Sequence, residues 1–306
     1  MGRLAQHAAM ASVATALLLL GLKGYAAWVT GSVAMLASLA DTALDLVASA
    51  MTLFGVRFAA LPPDHNHRFG HGKAEALVAL FQVALIAASG LAIFARAIER
   101  LLGGAATEDT GFGIGASLAA IVITAGLLAY QRHVIARTGS VAIRADHAHY
   151  QADVVLNVAV IATLLIERLL GWAMVDPLAG MAIALWLLWG AWQGSATAID
   201  QLMDKEWPEE RRRDFVAVAS RHPEVRGLHD LRTRTSGSHD FVQFHIWMDP
   251  ALSVAAAHDV VEQIERDLAI AFPGTEVFIH IDPEGKIDHP GNDLVEADLV
   301  AQLKEP

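Results

Sequence analysis

The sequence predicts an α-helical membrane protein with six transmembrane helices, followed by a C-terminal α+β domain. Of its 306 residues, 54% are hydrophobic and only 18% are charged, a composition too apolar for an ordinary soluble domain. Apolar runs of about 20 residues, the length that crosses the hydrocarbon core of a bilayer, recur along the first two thirds of the chain. The runs occupy residues 8–29, 33–58, 74–102, 112–135, 150–170 and 177–199.

The first apolar run also has features of a secretory signal, with Arg3 before it and a cleavage-like region at Tyr25, Ala26 and Ala27. Its apolar part is long and further runs follow at once, which favours a retained helix. We therefore count it as the first transmembrane helix.

The composition changes after residue 205 to that of a water-soluble domain. We expect a transmembrane domain over residues 1–205, an α+β domain over 206–283 and a polar tail over 284–306. The second domain shows, in order, a helix, two strands, a helix and a strand, which suits a small antiparallel sheet. These elements are predicted at 209–220, 227–235, 241–248, from the cap residue Ser253 onwards, and 276–282.

The charge of the chain indicates cations as partners. The formal net charge is -11 and the acidic residues concentrate after residue 200, which disfavours nucleic acid as a partner. The chain has no cysteine, so histidine and carboxylate are the available metal ligands, without thiolates or disulfides.

Basic residues in the short connections predict the orientation in the membrane. By the positive-inside rule, connections rich in Arg and Lys lie in the cytoplasm. An even number of helices then places both termini in the cytoplasm as well. The basic residues lie between the second and third runs (Arg57, Arg68, Lys73) and between the fourth and fifth (Arg132, Arg137, Arg144).

Two carboxylates, Asp41 and Asp45, lie within the second apolar run. Each costs about 2.5 to 3.5 kcal/mol at the centre of a membrane helix, so an acid there is a functional candidate by default. Ser38, Thr42 and Ser49 fall on the same helical face. The second helix is therefore polar on one face and apolar elsewhere.

A second polar face with the same spacing leads into the fifth apolar run. If the two helices face each other, Asp41 and Asp45 meet His149 and Asp153 as a ligand set for a divalent cation. Imidazole with carboxylate favours zinc-like ions over magnesium or calcium. The residues of this second face are Asp146, His149, Tyr150, Asp153 and Asn157.

The connection between the second and third runs contains Asp64, His67 and His71 among Pro and Gly residues. Carboxylate with imidazole suits a zinc-like cation. The same residues are also compatible with a solvated polar loop that binds nothing.

Histidines also mark the C-terminal domain. On its last strand, period-two alternation sends His280 and Asp282 to one face, either as a seat for a metal ion or as ordinary polar surface. His229, His245 and His258 are the other candidate ligands of this domain.

Taken in order, these motifs resemble those of the cation diffusion facilitator family. The resemblance rests on Asp41-x-x-x-Asp45, Asp64-x-x-His67-x-x-x-His71, His149-x-x-x-Asp153 and the histidines of the C-terminal domain. It implies a homodimer in the inner (plasma) membrane that exchanges a cytoplasmic divalent cation for protons by alternating access. It also implies that the C-terminal domain is cytoplasmic and ferredoxin-like.

The resemblance also implies the ligand sets, with zinc or a similar ion both as substrate and as structural or regulatory ligand. A transport site comprises Asp41, Asp45, His149 and Asp153, and a loop site comprises Asp64, His67 and His71. A dimer-stabilising cluster comprises His229, His245, His258, His280 and Asp282.

The four ligands of the transport site favour transport over catalysis. Four protein ligands close a tetrahedron, whereas a catalytic zinc keeps a position for water, so we expect a metal/proton antiporter without a catalytic cofactor, not an enzyme. Zinc is the first choice, with cadmium, iron(II), cobalt and nickel as alternatives. Two other hypotheses are a membrane-bound metal sensor and an intramembrane metal-dependent hydrolase, for which the sequence offers no separate general base.

Overall fold

The computed structural model of the protein describes residues 2–30, 33–103, 113–170, 174–286 and 298–304. Two compact units divide the chain, Met1–Leu202 and Met203–Pro306. Residue 112 of the fourth apolar run, and residues 287–297 and 305–306 of the predicted tail, lie outside the described residues.

The first unit consists of long α-helices, and each predicted apolar run lies within one of them, residue 112 apart. The helices are α1 Gly2–Thr30, α2 Val33–Ala59, α3 Ala74–Gly103, α4 Gly113–Thr138, α5 Val141–Leu170 and α6 Val175–Leu202. Among the described residues, four stretches are long and apolar enough to cross a membrane. These stretches are Gly2–Val29, Ser38–Ala59, Ala74–Leu102 and Leu118–Thr138.

Glycines allow neighbouring helices of the first unit to approach closely. A Cβ atom added to Gly55 of α2 would lie only 2.3 Å from Cγ2 of Val78 on α3. A Cβ atom added to Gly194 of α6 would lie 2.8 Å from Cγ2 of Val83, also on α3. Membrane helices associate through such close packing at small residues, because lipid provides no hydrophobic driving force.

The second unit contains a three-stranded sheet in the order β1-β2-β3. Strands β1 and β2 are antiparallel, whereas β3 runs parallel to β2. The expected antiparallel sheet is therefore wrong for the last strand, because α8 carries the chain back along the sheet before β3 begins. The elements are α7 Glu209–Ala219, β1 Gly227–Ser236, β2 His239–Met248, α8 Val254–Ala271, β3 Thr275–Pro283 and α9 Leu299–Lys304.

The helices of the second unit cover an apolar core on the sheet. Phe215 of α7 and Phe244 of β2 meet edge to face with ring centroids 5.5 Å apart, and Leu268 of α8 is buried in the same core. Helix α8 begins where predicted, since the Ser253 side chain accepts a hydrogen bond from the backbone N–H of Ala256. The short helix α9 also packs against this core.

We expect Gly55→Ala to destabilise the first unit, because the added Cβ must displace the stiff, branched side chain of Val78. Overpacking of this kind costs about 1 to 3 kcal/mol. Gly21→Ala in α1 is the matched control, since a Cβ there meets no atom within 4 Å. Thermal unfolding in detergent should show a lower midpoint for Gly55→Ala alone, and equal midpoints would contradict the close approach of α2 and α3.

Candidate metal-binding sites

The polar faces of α2 and α5 meet and bring one imidazole and two carboxylates together. Nε2 of His149 lies 3.1 Å from Oδ1 of Asp45 and 3.8 Å from Oδ2 of Asp153. One ligand atom of each residue lies within 4.8 Å of the others, so a single cation can contact all three. We call Asp45, His149 and Asp153 the α2/α5 site.

Asp41, the fourth residue predicted for this site, lies about one turn earlier on α2 and is exposed. It lines the same cavity of about 460 Å³ as the α2/α5 site. It does not belong to the close group of ligand atoms. The structure therefore brings three of the four predicted residues together and leaves Asp41 at the cavity wall.

A buried hydrogen-bond network around Asp146, about one turn before His149, holds α5 in place. Asp146 is fully buried, and its carboxylate accepts hydrogen bonds from Oγ of Ser12 at 2.6 Å, Nε2 of Gln131 at 2.7 Å and Nε2 of Gln82 at 3.3 Å. These donors lie on α1, α4 and α3, so one carboxylate connects α5 to three other helices. Because a buried carboxylate must keep its hydrogen bonds, the network fixes the rotation of α5 and the direction of His149.

Several polar residues of this region, Ser12 among them, were not singled out from the sequence. Lys23 of α1 lines the same cavity as the α2/α5 site, and its Nζ donates a hydrogen bond to Oγ1 of Thr42 at 2.7 Å. Gln82 and Gln131 complete the buried network. Lys23 and Gln82 each interrupt an apolar stretch, which is a usable signal, whereas Gln131 precedes charged residues near the end of its helix and gives none.

The loop between α2 and α3 arranges its predicted ligands around Asp64. Oδ1 of Asp64 lies 3.3 Å from Nδ1 of His67, and Oδ2 lies 3.3 Å from Nε2 of His71. The backbone N–H groups of His67 and Asn66 donate to Oδ1 at 2.7 and 2.8 Å. The hydrogen bond from His67 contributes most to lowering the pKa of Asp64 below its ordinary value, so the carboxylate is ionised at neutral pH and suited to a cation.

Three histidines form a row across the sheet of the second unit. His229 on β1 pairs with His245 on β2, which in turn pairs with His280 on β3. Oδ2 of Asp282 lies 2.9 Å from Nδ1 of His245 and 3.4 Å from Nε2 of His229, and Oδ1 lies 3.3 Å from Nε2 of His280. We call these four residues the sheet cluster.

His229 is the member of the sheet cluster whose surroundings best fit a metal ligand. Its side chain is 2% exposed, and neither ring nitrogen makes a hydrogen bond. Burial, and then the charge of the neighbouring His245, lowers the pKa of His229 below its ordinary value. The imidazole is therefore neutral at neutral pH, which is the form that binds a metal ion.

The positions of two residues of the second unit, relative to the sheet cluster, are not predicted by the sequence. His258 on α8 is 67% exposed, its Nε2 lies 3.5 Å from Oε1 of Glu262, and the structure does not bring it to the sheet cluster within one chain. Asp230, which was not singled out, lies in a β-bulge with a φ of 50°, and its Oδ2 lies 3.7 Å from Nε2 of His245. A bulge re-aims a side chain, and here it turns a carboxylate toward the sheet cluster.

The fold and these sites define a membrane protein with several candidate cation sites. Residues 9–203 match the model of the cation efflux transmembrane domain, and residues 207–284 match that of the cation efflux protein cytoplasmic domain. The chain belongs to this family, the cation diffusion facilitators. The resemblance inferred from the sequence motifs is therefore confirmed.

Individual relatives cover nearly the whole chain. The cation-efflux pump FieF of Escherichia fergusonii is 40% identical over 290 residues, which cover 95% of this chain and 96% of the relative. FieF of Shigella flexneri serotype 5b matches to the same extent. A solved structure, the metal-bound C-terminal domain of the CzcD transporter from Thermotoga maritima, is 30% identical, with a TM-score of 0.25, over 26% of this chain and 93% of its own.

We expect His229→Leu to reduce the rise in melting temperature that zinc produces, because the sheet cluster loses a ligand. The metal-free protein should melt at the same or a higher temperature, since apolar atoms replace buried nitrogens that make no hydrogen bond. Calorimetry of the full chain in detergent measures both values. His239→Ala, at the exposed start of β2, should keep the whole zinc effect, and a full effect in His229→Leu would exclude His229 as a ligand.

The pKa of His229 also predicts how stability changes with pH. Because this pKa is lower in the folded state than in the unfolded chain, the unfolded state binds more protons across the interval between the two values. The stability of the metal-free protein should therefore fall as the pH drops through that interval. His229→Leu should flatten this part of the profile of unfolding free energy against pH, and an unchanged slope would contradict the assignment.

Proposed function

We propose that the protein exports divalent metal cations from the cytoplasm and exchanges them for protons. The observation that carries this proposal is the α2/α5 site, in which an imidazole and two carboxylates lie within reach of one cation among apolar helices. Membership of the cation efflux family supports transport as the role of this bundle. The family favours a transporter over the sensor hypothesis, because a sensor would bind metal without moving it.

Proton exchange follows from the chemistry of the proposed ligands. Carboxylate and imidazole bind a metal ion only when deprotonated, so metal ions and protons compete for the same atoms. Asp41 lines the same cavity, and its approach as a fourth ligand to Asp45, His149 and Asp153 would complete a tetrahedron and leave no position for a reactive water. The ion is then held and released rather than used for chemistry.

The cavity of the α2/α5 site extends toward one end of the bundle. Its wall includes Lys23 and Arg96, which lie in the halves of α1 and α3 nearest the α1–α2 and α3–α4 connections. On the opposite side of His149, Asp146 and its hydrogen-bond partners are fully buried and do not line this cavity. Access to the site from one end is what one state of an alternating-access cycle requires. In the orientation predicted by the basic residues, the accessible end is the outer one.

The donor atoms favour zinc as the transported ion. Nitrogen with carboxylate oxygen suits borderline cations, whereas magnesium and calcium prefer oxygen ligands alone. Cadmium, iron(II), cobalt and nickel satisfy the same preference and remain candidates. Zinc is therefore the cation with which transport is best tested.

We place the protein in the inner (plasma) membrane as a homodimer with six transmembrane helices and cytoplasmic termini. The family model matched by residues 207–284 supports dimerisation and a cytoplasmic location for that domain. The order of α7, β1, β2, α8 and β3 agrees with part of a ferredoxin-like fold. The proposed boundaries remain 1–205 for the transmembrane domain, 206–283 for the cytoplasmic domain and 284–306 for the tail.

The loop site and the sheet cluster are proposed as structural or regulatory metal sites. Asp64, His67 and His71 would bind one ion at the loop, and the sheet cluster would bind another through its histidines and Asp282. His258, which lies away from the cluster within one chain, would contribute only in the dimer. Metal at the sheet cluster would favour whichever arrangement of the protomers binds it more tightly.

We expect Asp45→Asn to reduce zinc transport to background while the protein remains folded. The amide is not an anion and exchanges no proton, so both the metal and the coupled proton lose a binding group. Zinc uptake into proteoliposomes under an imposed pH gradient measures the effect. Glu99→Gln, which removes an exposed acid near the end of α3, should transport at the wild-type rate.

Two results of this experiment would contradict the proposal. A wild-type rate in Asp45→Asn would show that the α2/α5 site is not on the transport path. Zinc binding without any zinc flux in the wild-type protein would favour the sensor instead.

A further inference from the structure

Lys23 is a cation in a cavity whose carboxylates and histidine suit the binding of cations, and Arg96 is the other basic residue of its wall. It lies in α1 within an apolar stretch, where a lysine is costly and therefore a functional candidate. The cavity that it lines also contains Asp41, Asp45, His149 and Asp153. None of the proposed roles of these four residues explains why a positive charge accompanies them.

One hydrogen bond holds the Lys23 ammonium beside the carboxylates. Its Nζ lies 2.7 Å from Oγ1 of Thr42, which is buried at 1% exposure and donates its own proton to the backbone carbonyl of Ser38. Asp45 follows Thr42 by three residues, so the two side chains are neighbours on one face of α2. The charge is thereby kept close to the α2/α5 site without occupying the position between the ligand atoms.

The position of the charge determines its effect on metal binding. In the metal-free protein, the ammonium offsets part of the negative charge of the carboxylates. When a divalent cation binds, the same ammonium repels it, and this repulsion is stronger inside a protein than in water. The charge therefore stabilises the metal-free state relative to the metal-bound state.

We propose that Lys23 is a built-in counter-cation that weakens metal binding at the α2/α5 site and so speeds release. The inference rests on the proposed transport function and assigns to that site a residue that controls affinity. Lys23 lies nearer the α1–α2 end of α1, toward which the cavity extends. In the predicted orientation this is the side on which the ion leaves.

A purely structural role makes a different prediction. If Lys23 only joins α1 to α2 through its hydrogen bond, its replacement should loosen the site and weaken metal binding. If its charge matters, its replacement should strengthen metal binding. The sign of the change therefore separates the two roles.

The experiment measures zinc affinity in the purified full-length protein with a competing chelator, and zinc flux in proteoliposomes. Binding that persists in Asp45→Asn is subtracted, so that only the α2/α5 site is compared. We expect Lys23→Met to lower Kd for zinc about tenfold, and to lower both KM and kcat for transport because release becomes slow. Lys23→Gln, which keeps a polar group but no charge, should do the same, whereas Lys23→Arg should stay close to wild type.

Arg3→Met is the matched control, because it removes one positive charge from the other end of α1 and should change neither Kd nor kcat. An unchanged or higher Kd in both Lys23→Met and Lys23→Gln would overturn the proposal. Wild-type behaviour of Lys23→Gln beside weaker binding in Lys23→Met would also overturn it, in favour of the structural role. If Asp45→Asn binds and transports zinc like the wild type, the proposed transport site has failed, and not the role of Lys23 alone.

Discussion

The contact between His149 and Asp45 is the interaction on which the rest of the membrane unit depends. Ionisable groups in apolar helices are unfavourable toward lipid, so the polar faces of α2 and α5 must turn inward. The distance of 3.1 Å between Nε2 of His149 and Oδ1 of Asp45 shows that they turn toward each other. This requirement fixes the rotation of both helices, and with it the position of Asp153.

Helix α5 carries two carboxylates with different surroundings. Asp153 is partly exposed and faces an imidazole and a cavity that can hold a cation. Asp146, two turns earlier, is fully buried and takes hydrogen bonds from three neutral side chains on three helices. A carboxylate whose hydrogen bonds come from neutral donors needs no cation, so Asp146 serves to connect helices. The part of α5 that carries His149 and Asp153 is left to bind an ion.

Much of this arrangement can be predicted from the sequence, because periodicity identifies the polar face of a single helix. The spacing of Asp41, Asp45, His149 and Asp153 places them on two helix faces. Because ionisable groups are unfavourable toward lipid, these two faces turn toward each other. Periodicity does not specify the axial offset of two packed helices, which is why Asp41 lies outside the close group of ligand atoms. Lys23 is equally hard to place, because a long side chain near a helix end can reach either the membrane surface or the cavity.

The sheet of the second unit shows the same limit of prediction. The row of three histidines exists only because the register of the strands aligns them. Register is a property of paired strands and not of a single one.

The two kinds of site differ in what their backbones allow. In the sheet cluster, hydrogen bonds between β1, β2 and β3 fix the separation of the three histidines, so its affinity for a metal ion is tied to an intact sheet. In the α2/α5 site, no backbone hydrogen bond can join the ligand-bearing helices, because each helix satisfies its own backbone groups. Their separation depends on side-chain contacts alone and can change without breaking secondary structure. A site that must bind an ion in one state and release it in another is therefore better built between helices than within a sheet.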